Sequence, residues 1–436
     1  MYVKEVYLSN IRSIESLVWA LPDQPGPGWH VIIGDNGAGK SSFLRAIALA
    51  MVGPTEAIAL RQDWSEWLRG NESLGTVAVM IKPTLGYDLL FRFPHVPTEA
   101  PVAEYSLELM FNRGPDNRVL PLDFRSNIPN SMQSIWGVGP GWFSASYGPF
   151  RRFTGGDQER EKLFQSSPKL ARHLSVFGES VALSECLEWL KLLQFKKLEK
   201  DPEGNLLESL KQFINQPDFL PNEARLDSIS SKGVRFVDGN GCEVPVENMS
   251  DGYRSILSMT FELIRQLARA YGANKLFAPG DATTIIVPGV VLIDEIDAHL
   301  HPVWQRRVGL WFREHFPNIQ FIVTTHSPLI CQAATVGSVF RLPRPGSDEE
   351  ADMVTGVALD RLLYGNVLDA YSTGAFGDVP LRSPEALEKL ERLAILNQKE
   401  LAQGLSPEEQ AEQQHLRAQL PTASSALPSD TEVPQP

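Results

Sequence analysis

The chain has little cysteine: three residues in 436, at Cys186, Cys242 and Cys331. They are far apart and lack metal-ligand spacing, which argues against a disulfide framework or a thiolate zinc site. They read as small buried hydrophobes of a chain kept in a reducing cytoplasm. Long apolar runs are missing as well. Nothing approaches the roughly 18–20 residues that a spanning helix needs, so no membrane partner is expected. Residues 1–8 (MYVKEVYL) read as a strand, and not as a charged stretch leading into an apolar core, so no signal peptide is expected. There is no long basic run, internal repeat or sustained heptad pattern.

The chain carries 40 Lys+Arg against 53 Asp+Glu, a net charge of -13. That acidity is local. From Gly346 onward there are 6 basic and 16 acidic residues, which leaves 34 and 37 before it. The body is near neutral, so the total does not exclude a local basic face for nucleic acid. With 43% hydrophobic residues the length suits about two or three domains.

Periodicity outlines an α/β chain. A short apolar strand, His30–Ile33, runs straight into a glycine-rich loop. Phe43, Leu44, Ile47, Ala48 and Met51 then follow at helical spacing until Gly53-Pro54. Thr76–Ile81 and Tyr87–Phe93 read as strands, 112–140 as loop, and 158–219 as helical, with Leu187, Leu190, Leu193 and Phe195 in one amphipathic stretch. Val234–Val246 reads as a hairpin about Asp238-Gly239-Asn240-Gly241. Arg254–Ala270 is an amphipathic helix. Ile285–Ile293 and Ile319–Val323 read as buried parallel strands, with a helix over Val303–His315 between them. From about Pro421 the composition reads as disordered.

Three clusters carry chemistry. Gly34-Asp35-Asn36-Gly37-Ala38-Gly39-Lys40-Ser41 matches the phosphate loop G-x-x-x-x-G-K-[ST], between a strand and a helix as that motif requires, with Ser42 next to it. Its amides and helix start suit ATP phosphates, Lys40 the β- and γ-phosphates, and the Ser41 hydroxyl Mg²⁺. Val290–Ile293 ends in Asp294-Glu295. Carboxylates at the tip of a buried strand call for a cation, so Asp294 suits Mg²⁺ and Glu295 the attacking water. Thr324-Thr325-His326-Ser327-Pro328 follows the next apolar strand and offers His326 to a γ-phosphate or lytic water. His299 and His301 flank Leu300 near these acids. A second metal is one reading, and a loop leading into a helix at Pro302 is the better one.

The order phosphate loop, Asn248-Met249-Ser250-Asp251-Gly252-Tyr253-Arg254-Ser255, Asp294-Glu295, His326 resembles an ABC-type ATPase. Asp251 stands where the usual signature has the first of two glycines. That variant, with the opening Leu8-Ser9-Asn10-Ile11-Arg12, is similar to the RecF/SMC-like branch. The resemblance implies a P-loop head of mixed sheet and flanking helices, with a helical insert and a C-terminal helical extension. It implies a homodimer in which Ser250 and Gly252 of one copy complete the ATP site of the other, and it puts Asp297 at the D-loop. Gln62 is one candidate for the Q-loop and equally reads as an exposed polar residue. Ser146-Tyr147-Gly148-Pro149-Phe150-Arg151-Arg152 resembles a loop near the nucleotide or the lobe interface. The expected division is 1–155 and 231–345 for the two parts of the head, 156–230 for the insert, 346–420 for the extension and 421–436 for the tail.

Asp360–Thr373 (DRLLYGNVLDAYST) looks like the tail of ATPases from Septu and retron-associated antiphage systems, which implies a separate HNH-type nuclease partner. No D-x-D pair follows His326, so an appended two-metal nuclease is not expected in this chain. A RecF/SMC-like ATPase acting directly on DNA and a transporter engine are the other readings. The altered signature and the long insert between Lys40 and Ser250 count against the transporter.

Overall fold

The chain opens with an antiparallel pair, β1 (Tyr2–Ile11) and β2 (Ile14–Ala20), whose turn places Asn10 and Arg12 at φ 53° and 51°. After β3 (Gly28–Ile33) leaves for a second sheet, β4 (Leu74–Lys82) pairs with the free edge of β1. With β5 (Tyr105–Arg113) and β6 (Val119–Ser126) it completes a sheet in the order β2-β1-β4-β5-β6. This computed structural model describes residues 1–21, 26–60, 62–84, 104–126, 136, 142–154, 168–178, 182–377 and 382–420. It forms two units, Met1–Gly377 and Asp378–Pro436.

The second sheet holds the site. β7 (Ser144–Tyr147) is one edge. Two small antiparallel pieces come next in the chain: β8 (Arg225–Ser230), β9 (Gly233–Val237) and β10 (Glu243–Pro245), then β11 (Phe277–Ala278) and β12 (Asp281–Ile285). β13 (Gly289–Ile293), β14 (Ile319–Thr324), β15 (Gly337–Arg341) and β16 (Asp352–Met353) complete the order β16-β15-β3-β14-β13-β7, parallel except for β16.

Alternation along these strands feeds two cores. Val31, Ile33, Val291, Ile293, Phe321 and Val323 face one; Ile32, Val290, Leu292 and Ile322 face the other. The second core lies between the sheets and is filled by helix Lys40–Val52, which is buried from Phe43 to Val52 except at Arg45. Emptying such a site, as in Leu44→Ala, typically costs about 2–5 kcal/mol. Gln320 ties the sheets together: its amide donates to Val3 O at 2.9 Å and its carbonyl accepts from Val3 N at 2.7 Å.

Most of the expected elements are present, with some differences. Residues 119–126 form β6, not loop; Val119 is buried and Phe124 meets Trp136 edge-on, a strand pattern hidden among Pro and Asp. Ile285 and Ile293 belong to separate strands, parted at Ile286, Val287 and Pro288. Leu187, Leu190 and Leu193 are buried, but Phe195 is 51% exposed, since two residues turn a helix by about 200°. The region 158–219 breaks into helices Pro168–Ala171, Leu174–Phe177, Glu185–Leu198 and Leu206–Ile214 among its described residues. The 238–241 turn forms as expected, with Asp238 Oδ1 accepting from the amides of Asn240 and Cys242. Tyr87–Phe93 and the tail from Pro421 lie outside the described residues.

Residues 346–377 pack with the first unit: Leu362, Ala370 and Ala375 join its core. The second unit is a pair of helices, Pro384–Gln403 and Pro407–Gln419, capped by Ser383 and Ser406 and sharing a small cluster of Leu393, Leu396, Leu416 and Leu420. Among the described residues no helix is long and apolar enough to cross a membrane. The three cysteines are free thiols.

Candidate functional site

Because β3, β14 and β13 are adjacent and parallel, their C-terminal tips deliver residues 34–41, 324–326 and 294–295 to one edge of the sheet. Ligands bind at such edges in open α/β sheets. The glycines make the first loop possible. Gly34, Gly37 and Gly39 have φ of 153°, 82° and 100°. A Cβ on Gly39 would stand 2.8 Å from Ile14 Cγ1. Lys40 is buried and folds back, Nζ donating to the carbonyls of Gly34 at 2.8 Å and Asp35 at 3.0 Å. Burial lowers its pKa; Asp294, Glu295, Asp35 and Asp297 act the other way. Helix Lys40–Val52 has no acidic residue in its first turn and no side-chain cap, which leaves its positive end for an anion.

The tips of β13 and β14 are knit together. Thr324 Oγ1 donates to Asp294 Oδ1 at 2.6 Å and accepts from the Glu295 amide at 2.8 Å. Asp294 is 1% exposed. Thr325 Oγ1 donates to Asp297 Oδ1 at 2.5 Å. Between these points the chain makes a tight turn in which Glu295 and His299 take φ of 47° and 65°, a strained choice for such residues. His301 then caps helix Pro302–His315, its Nδ1 accepting from Val303 N. Among the described residues no group of three or more His, Cys, Asp or Glu is placed to hold a metal ion; His299 sits in the turn and His301 at the start of the helix.

His326 is exposed at the rim. Its inward part loses water, and this, with the charge of Lys40, lowers its pKa against Asp297, Glu295 and Asp35. Ser250 caps helix Asp251–Tyr271 without a side-chain cap bond and is exposed, as is Asp251, which is paired with Arg254. Gly252 is packed so closely that a Cβ would lie 2.8 Å from His299 O. The loop at Ser250–Gly252 thus leans on the turn that follows Glu295. Gln62 donates to the carbonyls of Leu60 and Phe177.

The resemblance places the segment Ser146–Arg152 near the nucleotide or the lobe interface without singling out Arg151, and nothing in the sequence signals a cavity beside the phosphate loop. Arg151 lies buried behind the 294–296 turn, donating to its carbonyls. A cavity of about 730 Å³ adjoins the phosphate loop, lined by Gly37, Ala38, Ser13, Ile14, Arg69 and Arg344 among others. That size suits a small-molecule ligand such as a nucleoside.

A family profile described as "AAA domain, putative AbiEii toxin, Type IV TA system" matches residues 142–332, and one described as "AAA domain" matches residues 5–81. The chain is 36% identical over 124 residues to "Retron Ec83 probable ATPase" of Escherichia coli, covering 28% of this chain and 22% of that protein. It is 24% identical over 344 residues to "Septu protein PtuA" of Bacillus mycoides, covering 78% of this chain and 40% of that protein. The matches thus span less than half the length of these relatives. Among solved structures, an SMC head bound to the C-terminal winged-helix domain of ScpA aligns with a TM-score of 0.49 and 19% identity, over 81% of this chain and 98% of that one. Two AAA-domain profiles thus match separate parts of this α/β chain, and in sequence it resembles proteins named as a retron probable ATPase and a Septu protein over part of their length.

Proposed function

We propose that the chain binds and hydrolyses ATP in a homodimer, and serves as the ATPase subunit of an antiphage system that controls a separate nuclease. One observation carries the first part: three parallel strand tips gather Lys40, Asp294, Glu295 and His326, while Gly252 packs on the turn beyond Glu295.

The phosphate-loop amides and Lys40 bind the phosphates. The cavity beside Gly37 and Ala38 takes the nucleoside. Asp294, Glu295, Asp35 and Asp297 all act on the charge of Lys40, a negative field that favours a cation, and the Ser41 hydroxyl and Asp294 would hold Mg²⁺ there. When bound, Mg²⁺ supplies charge neutralisation on the phosphate oxygens. Glu295 orients the water and draws its proton, while His326, held mainly neutral, hydrogen-bonds the γ-phosphate or the water. Ser250, exposed at the helix start, and the loop through Gly252 are offered to a second copy, whose site they complete. Control of an HNH-type nuclease rests on the retron and Septu relatives and on Asp360–Thr373.

Glu295→Gln should trap an ATP-loaded dimer, visible by light scattering on a sizing column. A variant that stays monomeric in saturating ATP would falsify the shared-site reading. Lys40→Ala should weaken ATP binding by roughly 10- to 100-fold. Co-purification of the products of the native operon, read by mass spectrometry, tests the nuclease partner: a preparation with no nuclease removes that half of the proposal.

A further inference from the structure

Arg151 is buried more deeply than Lys40, at 4% exposure against 7%. Its Nε donates to Ser255 Oγ at 3.0 Å. Nη1 donates to the carbonyls of Gly148 at 3.1 Å and Asp294 at 2.9 Å, and Nη2 to those of Glu295 at 3.0 Å and Ile296 at 3.4 Å. Each group that it bonds is neutral: four carbonyls and a hydroxyl. Burial alone costs a guanidinium free energy and lowers its pKa to about 10, although Asp294, Asp297 and Glu295 oppose the shift. What the side chain achieves in return is geometric, since its planar fork fixes several acceptors at once.

Gly148 lies in the loop of Arg151 itself; the other four acceptors belong to two functional segments. The carbonyls of 294–296 form the strand tip and the turn in which Glu295 takes φ 47°. Ser255 lies on helix Asp251–Tyr271, whose first residues are the signature loop. One guanidinium therefore binds the turn that aims Glu295 and the helix that presents Ser250.

We propose that Arg151 is a positioning residue that couples nucleotide occupancy at the 294–297 turn to the pose of the Ser250–Gly252 loop. This rests on the ATPase reading above. It predicts that losing the guanidinium uncouples the two segments without emptying the phosphate loop.

The test uses the full chain and the variants Arg151→Gln, Arg151→Lys and Ser255→Ala. Turnover of ATP is measured alongside hydrogen exchange with and without Mg²⁺ and a non-hydrolysable ATP analogue. In the unaltered chain the analogue should protect both 34–45 and 250–258. In Arg151→Gln it should protect only 34–45, with affinity within about threefold and kcat lowered by about tenfold or more. Arg151→Lys should recover part of the loss. Should Arg151→Gln fail to fold, Ser255→Ala decides, since it removes one bond of the five; it should lower kcat by about threefold with KM unchanged. Unchanged kcat together with nucleotide-dependent protection of 250–258 overturns the coupling. So does a loss of protection in β7 and β13 that is equal with and without the analogue, which marks a purely structural role. If the unaltered chain binds no analogue at all, the ATPase reading itself fails, and the coupling with it.

Discussion

The hydroxyl of Thr324 donates to the carboxylate of Asp294 at 2.6 Å, and the same oxygen accepts the amide of Glu295. One side chain on β14 thereby fixes both acids at the end of β13. Thr324→Val keeps the shape and removes both bonds. It should cost about 1–3 kcal/mol of stability, because the groups left behind stay buried, and should lower kcat more than it raises KM. Thr324→Ser should restore most of both. Wild-type turnover in the valine variant would mean that Asp294 and Glu295 hold their places by other means.

Gly252 has no room for a side chain: a Cβ would lie 2.8 Å from His299 O. Gly252→Ala should therefore push the start of helix Asp251–Tyr271 away from the turn. ATP binding should survive, since the phosphate loop is untouched, while ATP-dependent self-association and turnover should fall by about tenfold or more. Comparing nucleotide affinity with sedimentation in the same variant checks this, and equal losses in both would contradict it.

Two buried imidazoles set an acid limit. Unfolded, each takes a proton near pH 6.5. Folded, burial and the nearby Arg172 lower His173 to about 3, and burial lowers His30 to about 4. Between those values the unfolded chain holds more protons, so stability falls as the pH drops below about 6.5. At pH 5 each imidazole should cost roughly 2 kcal/mol relative to pH 8. His173 bonds Ser144 and Ser146. His173→Gln should be less stable at pH 8 yet lose less on acidification, and thermal melts that show the same slope as the parent would refute the assignment.

On helix Asp251–Tyr271 a buried pair stands behind the signature. Arg265 donates twice to Glu262 at 2.8 Å, and Gln266 donates to the same carboxylate at 2.6 Å. Arg265→Met leaves Glu262 charged and enclosed and should cost about 3–5 kcal/mol. Glu262→Leu with Arg265→Met should be far closer to neutral. Denaturant midpoints of the two variants settle the comparison; a double variant as unstable as the single would show that the pair itself stabilises the fold.

Much of the site could be read from order and spacing. A strand, a glycine loop and Lys40 form a local motif, and an apolar run ending in Asp294-Glu295 is another, so their structure follows from neighbouring residues. The parallel strands were legible because burial on both faces leaves near-continuous apolar runs. What escaped reading depends on contacts between distant segments. Arg151 in a loop sequence does not reveal that Asp294, Glu295 and Ile296 will turn their carbonyls towards it. Val119–Ser126 was obscured by Pro121 and Asp123, since an edge strand tolerates residues that a central one does not. The break at 286–288 was legible and passed over, since Pro288-Gly289 is a turn signal inside the apolar run.

Strand β3 lies between β14 and β15. Gly28 through Ile33 is buried throughout, yet both neighbours are made some 300 residues later. A nascent chain therefore carries an unpaired, apolar strand for most of its synthesis, and the loop that follows it cannot be held in shape until residues up to Arg341 have emerged. On the proposed reading, nucleotide capture therefore waits for nearly the whole head to be made, and a chain cut short before that point should expose an unpaired apolar strand.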